Sequence, residues 1–453
     1  MRIHFIAIGG AVMHNLAIAL HLKGYSITGS DDEIFEPSRS RLASYGLLPE
    51  AYGWYPEKIT GDIDTIILGM HAKTDNPELL KAIESGIKVM SFPEFLYEQT
   101  KAKKRIVVAG SHGKTTTTAM IMHVFKTLNV KFDFMVGSSI SGYETMVSLN
   151  DDSKIAVLEG DEYLTSPIDR RPKFHLYIPD IAVLNGIAWD HMNVFPTFEN
   201  YVEQFRIFVD KITDGGSLVY YAGDPQVKKI AETAANNIKR IPYWIHGHFQ
   251  NKTGFYAATL SRTVPMKIFG EHNMQNLSAA KEACLAAGVS EDGFYDAIRS
   301  FEGTSGRLQK LKENENGVFY FDFAHSPSKV KATVEAVAAR YPGKSIIACF
   351  ELHTYSSLNK DFLPFYKGTL DKATSAFVYL NTNQFELKKL EPLSKETVKE
   401  AFSGQNLTVY DNSAEMFDNI KSRHFLSPVY LFMSSGDFNG CDLKKLSEDL
   451  LGC

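Results

Sequence analysis

The sequence predicts an α/β protein of three domains. Three observations carry that expectation. Strand-like apolar runs alternate with helix-compatible segments along the chain. A length of 453 residues suits about three domains of ~150 residues each. Glycine turns follow several strands, where such folds gather ligands. Hydrophobic residues make up 44% of the chain and charged residues 22%, so full cores are available. The formal charge of −5 gives no basic footprint and argues against nucleic acid as a partner. The four cysteines, Cys284, Cys349, Cys441 and Cys453, show no C-x-x-C spacing. Neither a zinc site nor a disulfide framework is expected, and a reducing compartment fits.

The first block runs to residue 104, where Thr100–Lys104 forms a charged linker. A strand over Ile3–Ile8 enters Gly9-Gly10, and a helix over Val12–Leu22 follows. His14, Asn15, His21 and Lys23 interrupt this segment, so it does not reach transmembrane length. No cleavage-site pattern follows the apolar N-terminus, and a cytoplasmic protein with no membrane contact is expected. A second strand, Tyr25–Thr28, runs into a turn at Gly29-Ser30-Asp31-Asp32. A strand over Thr65–Gly69 and a helix over Pro77–Glu84 complete a βαβ nucleotide-binding pattern. Gly9 and Gly10 are placed to approach a diphosphate, and Ser30 and Asp31 to approach a ribose. The full G-x-G-x-x-G is absent, so an ordinary α/β turn explains these residues equally well.

The second block, 105–304, opens on Arg105–Ala109, then Gly110-Ser111-His112-Gly113-Lys114-Thr115-Thr116, then a helix over Thr117–Thr127. This is strand, glycine loop, helix. Backbone N–H groups there turn around phosphate oxygens, and the helix N-terminus adds partial positive charge. Lys114 is placed for the β/γ-phosphates and the Thr115 hydroxyl for Mg²⁺. The first glycine sits three residues before Gly113, not the usual five. A strand over Ile155–Leu158 ends in Glu159-Gly160-Asp161-Glu162, where at least one of the last two acids reads as a solvated turn. Another strand, Ile181–Leu184, leads through Asn185 to Asp190-His191. With the loop counted in, Glu159 and His191 form a cation and phosphate constellation. His272, Asn273 and Asn276 share a helix face suited to a purine edge, although Asn273 also suits a cap.

The third block, 305–453, begins near Gly306-Arg307. It holds the strand Phe319–Phe323 running into Ala324-His325-Ser326-Pro327, a helix over Ser328–Arg340, and the strands Ser345–Phe350 and Val429–Met433.

Taken in order, these motifs resemble the Mur ligases, ATP-dependent amino-acid and peptide ligases of peptidoglycan synthesis. The short loop is the form those proteins carry. The resemblance implies a Rossmann-like UDP-sugar domain, a central P-loop ATP domain and a Rossmann-like C-terminal acceptor domain. It implies that Gly9, Gly10, Ser30 and Asp31 lie near the UDP moiety. It gives ATP to the stretch Gly110–Thr116 with His272, Asn273, Asn276, Arg307, Asp322 and His325, and Mg²⁺ to Thr115, Glu159 and His191. Catalysis falls to Lys114, His191 and Arg307. The partners implied are UDP-N-acetylmuramate and an amino-acid or peptide acceptor, in a monomer or weak homodimer. Two branches use that sugar nucleotide: one adds L-alanine, the other the tripeptide L-Ala-γ-D-Glu-meso-diaminopimelate. The absent N-terminal extension and the run from Glu162-Tyr163 through Asp169–Phe174 to Asp190-His191 favour the tripeptide. So do Thr354 and Ser357, which stand where the L-alanine branch has two arginines. The chain departs from the usual pattern at Ala11–His14, Gly186 and Leu352; the lysine that some members carbamylate has no evident counterpart, and Arg206 lies near its place.

Overall fold

The computed structural model describes residues 1–235, 237–404 and 406–452. Two compact units emerge. One comprises Met1–Ile187, Val202–Trp244 and Ala279–Ile298; the other comprises Ala188–Tyr201, Ile245–Ser278 and the chain from Arg299 onward.

The first unit holds two sheets. Strands β1 (Arg2–Ile6), β2 (Ser26–Ser30), β3 (Thr65–Leu68) and β4 (Val89–Ser91) are all parallel, in the order β2-β1-β3-β4. Their near-continuous apolar character is what a sheet covered on both faces requires. The helix Pro77–Glu84 starts as expected, with Pro77 at its first position and the Asn76 side chain accepting from Glu78 and Leu79 N–H groups. The second sheet contains β5 (Lys104–Ala109), β6 (Asp133–Met135), β7 (Val147–Ser148), β8 (Ile155–Glu159), β9 (Ile181–Leu184), β10 (Ser217–Tyr221) and β11 (Lys239–Tyr243). Their order is β11-β10-β9-β5-β8-β6-β7, and only the short β7 runs antiparallel to its neighbour. Strand β5 is therefore central, flanked by β8 and β9, so the turns after all three open at one edge.

The second unit holds an antiparallel meander, β12 (His248–Asn251), β13 (Gly254–Ala258) and β14 (Thr263–Met266). It also holds a six-stranded sheet of β15 (Gln309–Asn314), β16 (Gly317–Asp322), β17 (Ser345–Leu352), β18 (Ser375–Leu380), β19 (Leu407–Tyr410) and β20 (Pro428–Met433). Its order is β15-β16-β20-β17-β18-β19, parallel except for β15. One face packs Phe319, Ile347, Phe377, Tyr430 and Phe432 into a buried cluster.

Several expected boundaries shift. Strand β1 ends at Ile6, because Ala7 takes a left-handed φ of 67°. Strand β2 extends through Gly29 and Ser30, so the turn begins at Asp31. The helix after the glycine loop starts at Lys114 rather than Thr117; four consecutive threonines mask its start, since β-branched residues are weak helix formers. Among the described residues, no helix is long and apolar enough to cross a membrane. Cys284, Cys349 and Cys441 are free thiols, and Cys453 lies outside the described residues.

Candidate active site

The glycine loop sits at the carboxyl edge of β5. Gly110 has φ 132°, and an added Cβ would lie 3.1 Å from the Asn185 nitrogen, so backbone passes backbone too closely for a side chain. Gly113, at φ 74°, begins the helix Lys114–Thr127, and no side chain caps that end. A helix N-terminus in this arrangement takes phosphate oxygens. The Ser111 N–H and hydroxyl both donate to the Gly186 carbonyl at 3.0 Å. Gly186 has a physical reason: a Cβ there would lie 2.4 Å from Cε1 of His112, whose ring packs over it. Behind the loop, Asn185 donates to Thr117 Oγ1 at 3.0 Å and accepts from Tyr243 at 2.9 Å. Thr116 is buried alongside.

Lys114 Nζ donates to the Gly110 carbonyl at 2.7 Å and to Glu162 Oε2 at 2.6 Å. The two side chains are only 14% and 1% exposed. Burial works against the ammonium charge, yet Glu162, Asp161 and Glu159 together raise its pKa above the ordinary value. Glu162 is thus a buried ion-pair partner, not a solvated turn. Asp161 is half-buried and pairs with Lys173 at 2.6 Å. Thr115 Oγ1 donates to Glu159 Oε1 at 2.8 Å, while Glu159 Oε2 accepts from Gly137 N–H at 2.9 Å. A hydroxyl and a carboxylate this close are hard oxygen donors that fit Mg²⁺. Among the described residues there is no group of three or more His, Cys, Asp or Glu side chains able to hold a metal.

In the other unit, Asp322 ends β16. Its carboxylate accepts from Ala324 N–H at 2.8 Å, Leu308 N–H at 3.1 Å and Thr333 Oγ1 at 3.0 Å. Burial raises its pKa against the pull of Arg307 and these donors. The Arg307 guanidinium lies 4.7 Å from the Phe323 ring centre. His325 uses Nδ1 against the Phe323 carbonyl at 2.9 Å, and Lys329, one helical turn on, reaches both His325 Nε2 at 3.4 Å and Asp190 Oδ2 at 3.3 Å. Burial would raise the Asp190 pKa, but Lys329, His325 and His191 hold it well below the ordinary value. His191 takes a left-handed φ of 54°, with its N–H bonded to Asp190 Oδ1 at 2.9 Å. Asn273 donates back to the Phe269 carbonyl at 2.8 Å, and it and Asn276 are buried, with His272 half-buried at the helix start.

In the first sheet, Asp31 is 4% exposed and turns inward. It accepts from Gly9 N–H at 2.7 Å and from Asp32 N–H at 3.0 Å. A Cβ on Gly9 would come within 2.9 Å of that carboxylate. Burial pushes the Asp31 pKa up to about 6. Ser30 Oγ is buried with no hydrogen-bond partner among the described residues. Gly10 caps the following helix, and its carbonyl meets His14 Nδ1 at 2.9 Å.

The structure therefore brings Lys114, Thr115 and Glu159 together, and separately Asp322, Arg307 and His325. His191 belongs to the second unit, beside Asp190. Sequence reasoning missed the pairing of Glu162 and the role of Lys329. The i, i+4 spacing of His325 and Lys329 was readable; nothing local signals Tyr243.

Residues 2–104 match the Mur ligase family, catalytic domain, and residues 108–284 match the Mur ligase middle domain. A UDP-N-acetylmuramate–L-alanine ligase of Clostridium botulinum is 30% identical over 370 residues, covering 78% of each chain. A UDP-N-acetylmuramate:L-alanyl-γ-D-glutamyl-meso-diaminopimelate ligase of Neisseria meningitides is 26% identical, with a TM-score of 0.59 over 66% of this chain and 98% of that one. A UDP-N-acetylmuramate–alanine ligase of Thermotoga maritima shares the fold at 19% identity, with a TM-score of 0.71 over 99% and 98% of the two chains.

Proposed function

The chain belongs to the Mur ligase family of ATP-dependent, amide-forming ligases, and from that premise we propose that it joins L-Ala-γ-D-Glu-meso-diaminopimelate to UDP-N-acetylmuramate. A carboxylate resists amines because its oxygen leaves poorly. Phosphoryl transfer from ATP turns the lactyl carboxylate into an acyl phosphate, which the free amine of the acceptor attacks. Lys114 offsets the charge of γ-phosphate and carboxylate as they approach. Thr115 and Glu159 would hold Mg²⁺, which supplies further charge neutralisation at the phosphates. The division into 1–104 for the sugar nucleotide, 105–304 for ATP and 305–453 for the acceptor is part of this proposal. So are the other site roles set out from the sequence, and a cytoplasmic location.

The observation that carries the choice of acceptor is the turn after β17. Ser357 is fully buried; its N–H bonds Thr354 Oγ1 at 3.1 Å and its hydroxyl bonds the Thr354 carbonyl at 3.0 Å. The L-alanine branch, by the resemblance above, carries two arginines at these positions, and a neutral turn lacks the paired guanidiniums that would grip a small amino acid. A second reading, an L-alanine ligase, draws support from the names of the curated relatives. Phosphate release from ATP, Mg²⁺ and UDP-N-acetylmuramate, with tripeptide or L-alanine as acceptor, decides between them. Release with the tripeptide alone supports the proposal, and release with L-alanine alone replaces it by the second reading.

A further inference from the structure

We propose that Glu162 takes the proton from the acceptor's ammonium once bound nucleotide draws on Lys114; this rests on the ligase reading above. Three acids crowd the carboxyl end of β8. Asp161 is held by Lys173, and Glu159 by Thr115 and the Gly137 N–H. Glu162 is held by Lys114, the cation that the nucleotide claims. Its Oε2 lies 2.6 Å from Lys114 Nζ. A phosphate oxygen bonded to that nitrogen would lie about 2.8 Å away. Carboxylate and transferring phosphoryl group therefore flank one atom, and the acyl carbon is two bonds from that group's phosphorus.

Bound phosphate changes the position of Glu162. Its side chain is 1% exposed, so water cannot screen the new negative charge beside it. A like charge favours the protonated carboxyl, so its proton affinity rises at the step that needs a base. The ammonium N–H bond breaks toward the Glu162 carboxylate, and the nitrogen lone pair forms the C–N bond. The acyl C–O bond then breaks, and phosphate leaves as hydrogen phosphate with the second ammonium proton. Glu162 afterwards passes its proton to the departing phosphate.

The test uses the full chain with ATP, Mg²⁺ and UDP-N-acetylmuramate, comparing the accepted peptide or amino acid with hydroxylamine, which is already unprotonated at neutral pH. Glu162→Gln should lower amide formation about 100-fold or more, yet leave hydroxamate formation within about threefold of the parent. Glu162→Asp should recover part of the lost rate. Equal loss with both amines would make Glu162 a structural partner of the loop and overturn the proposal, as would undiminished amide formation. A parent chain that forms neither amide nor hydroxamate would overturn the ligase reading instead.

Discussion

Glu162 in the first unit and Glu351 in the second are both buried carboxylates at the carboxyl edge of a parallel sheet, and they are held in opposite ways. Glu162 is paired with a mobile cation, Lys114. Glu351, fully buried at the end of β17, is satisfied by fixed dipoles: Asn381 Nδ2 and Phe438 N–H, both at 2.9 Å, and the Ser434 hydroxyl. His353 Nδ1 faces it at 3.6 Å, too far for a hydrogen bond. Burial favours protonation of Glu351, yet His353, Ser434, Asn381 and the Phe438 N–H, in that order, hold its pKa below the ordinary value. The first carboxylate has a partner that a substrate can remove. The second ties together β17 with the turns after β18 and β20, and nothing in a reaction releases it. A buried charge on a mobile partner suits chemistry, and one on the backbone suits architecture.

The strongest test of this contrast is Lys114→Ala. Turnover should fall about a thousandfold or more, since a principal stabiliser of transferring charge is gone. Binding of UDP-N-acetylmuramate, followed by calorimetry, should hardly change; equal loss of both would contradict the division of labour. Removing Lys114 also takes the cation from the buried Glu162 carboxylate, which should lower stability by up to about 3–5 kcal/mol. The double variant with Glu162→Gln should recover most of that stability and none of the turnover.

Glu351→Ala comes next and should act on stability. It leaves three buried donors without an acceptor, each worth about 1–3 kcal/mol, so a loss of about 3 kcal/mol or more is expected in urea denaturation. Glu351→Gln isolates the charge. A carboxylate with a lowered folded-state pKa contributes stability above its unfolded value, and this is lost as pH falls through the folded one. The difference between parent and Glu351→Gln should therefore shrink below the ordinary glutamate value of 4.5. A pH-independent difference would count against the dipole-held carboxylate.

The two regions also differ in how far the sequence reveals them. The glycine loop was legible because phosphate binding demands glycine, lysine and threonine at fixed local spacing, and the strand–loop–helix appeared where expected. Glu159 was legible from its place after an apolar strand. Glu162 was not, because its partner lies 48 residues earlier and only the pairing of β5 with β8 brings them together. Glu351 was invisible for the same reason: Asn381 comes from the turn after β18, and Ser434 and Phe438 from the turn after β20. Gly186 looked like a departure from pattern until the His112 ring above it gave a reason. Gly186→Ala should push that ring aside, raising the ATP KM about tenfold, the equivalent of 1.4 kcal/mol, with little change in melting temperature. An unchanged KM would mean that the ring's place over Gly186 has no bearing on nucleotide binding.

Asp31 offers the smallest effect and the sharpest contrast with Glu351. It too accepts backbone N–H bonds in a buried setting, yet burial outweighs them and its pKa lies near 6 rather than 3.8. The sign of the linkage is therefore reversed. A folded state that holds the proton more tightly than the unfolded state is favoured at low pH and loses that advantage as pH rises through about 6. Asp31→Asn mimics the protonated form but turns an amide N–H toward either Gly9 or Asp32, whose N–H groups want an acceptor, so part of the gain is cancelled. At pH 7 the variant should be within about 1 kcal/mol of the parent. Between pH 4 and 6 the parent should gain on it steadily as the medium is acidified, while over the lower part of that range the Glu351→Gln comparison moves the opposite way. Parallel trends for the two carboxylates would mean that burial, and not the kind of partner, governs both.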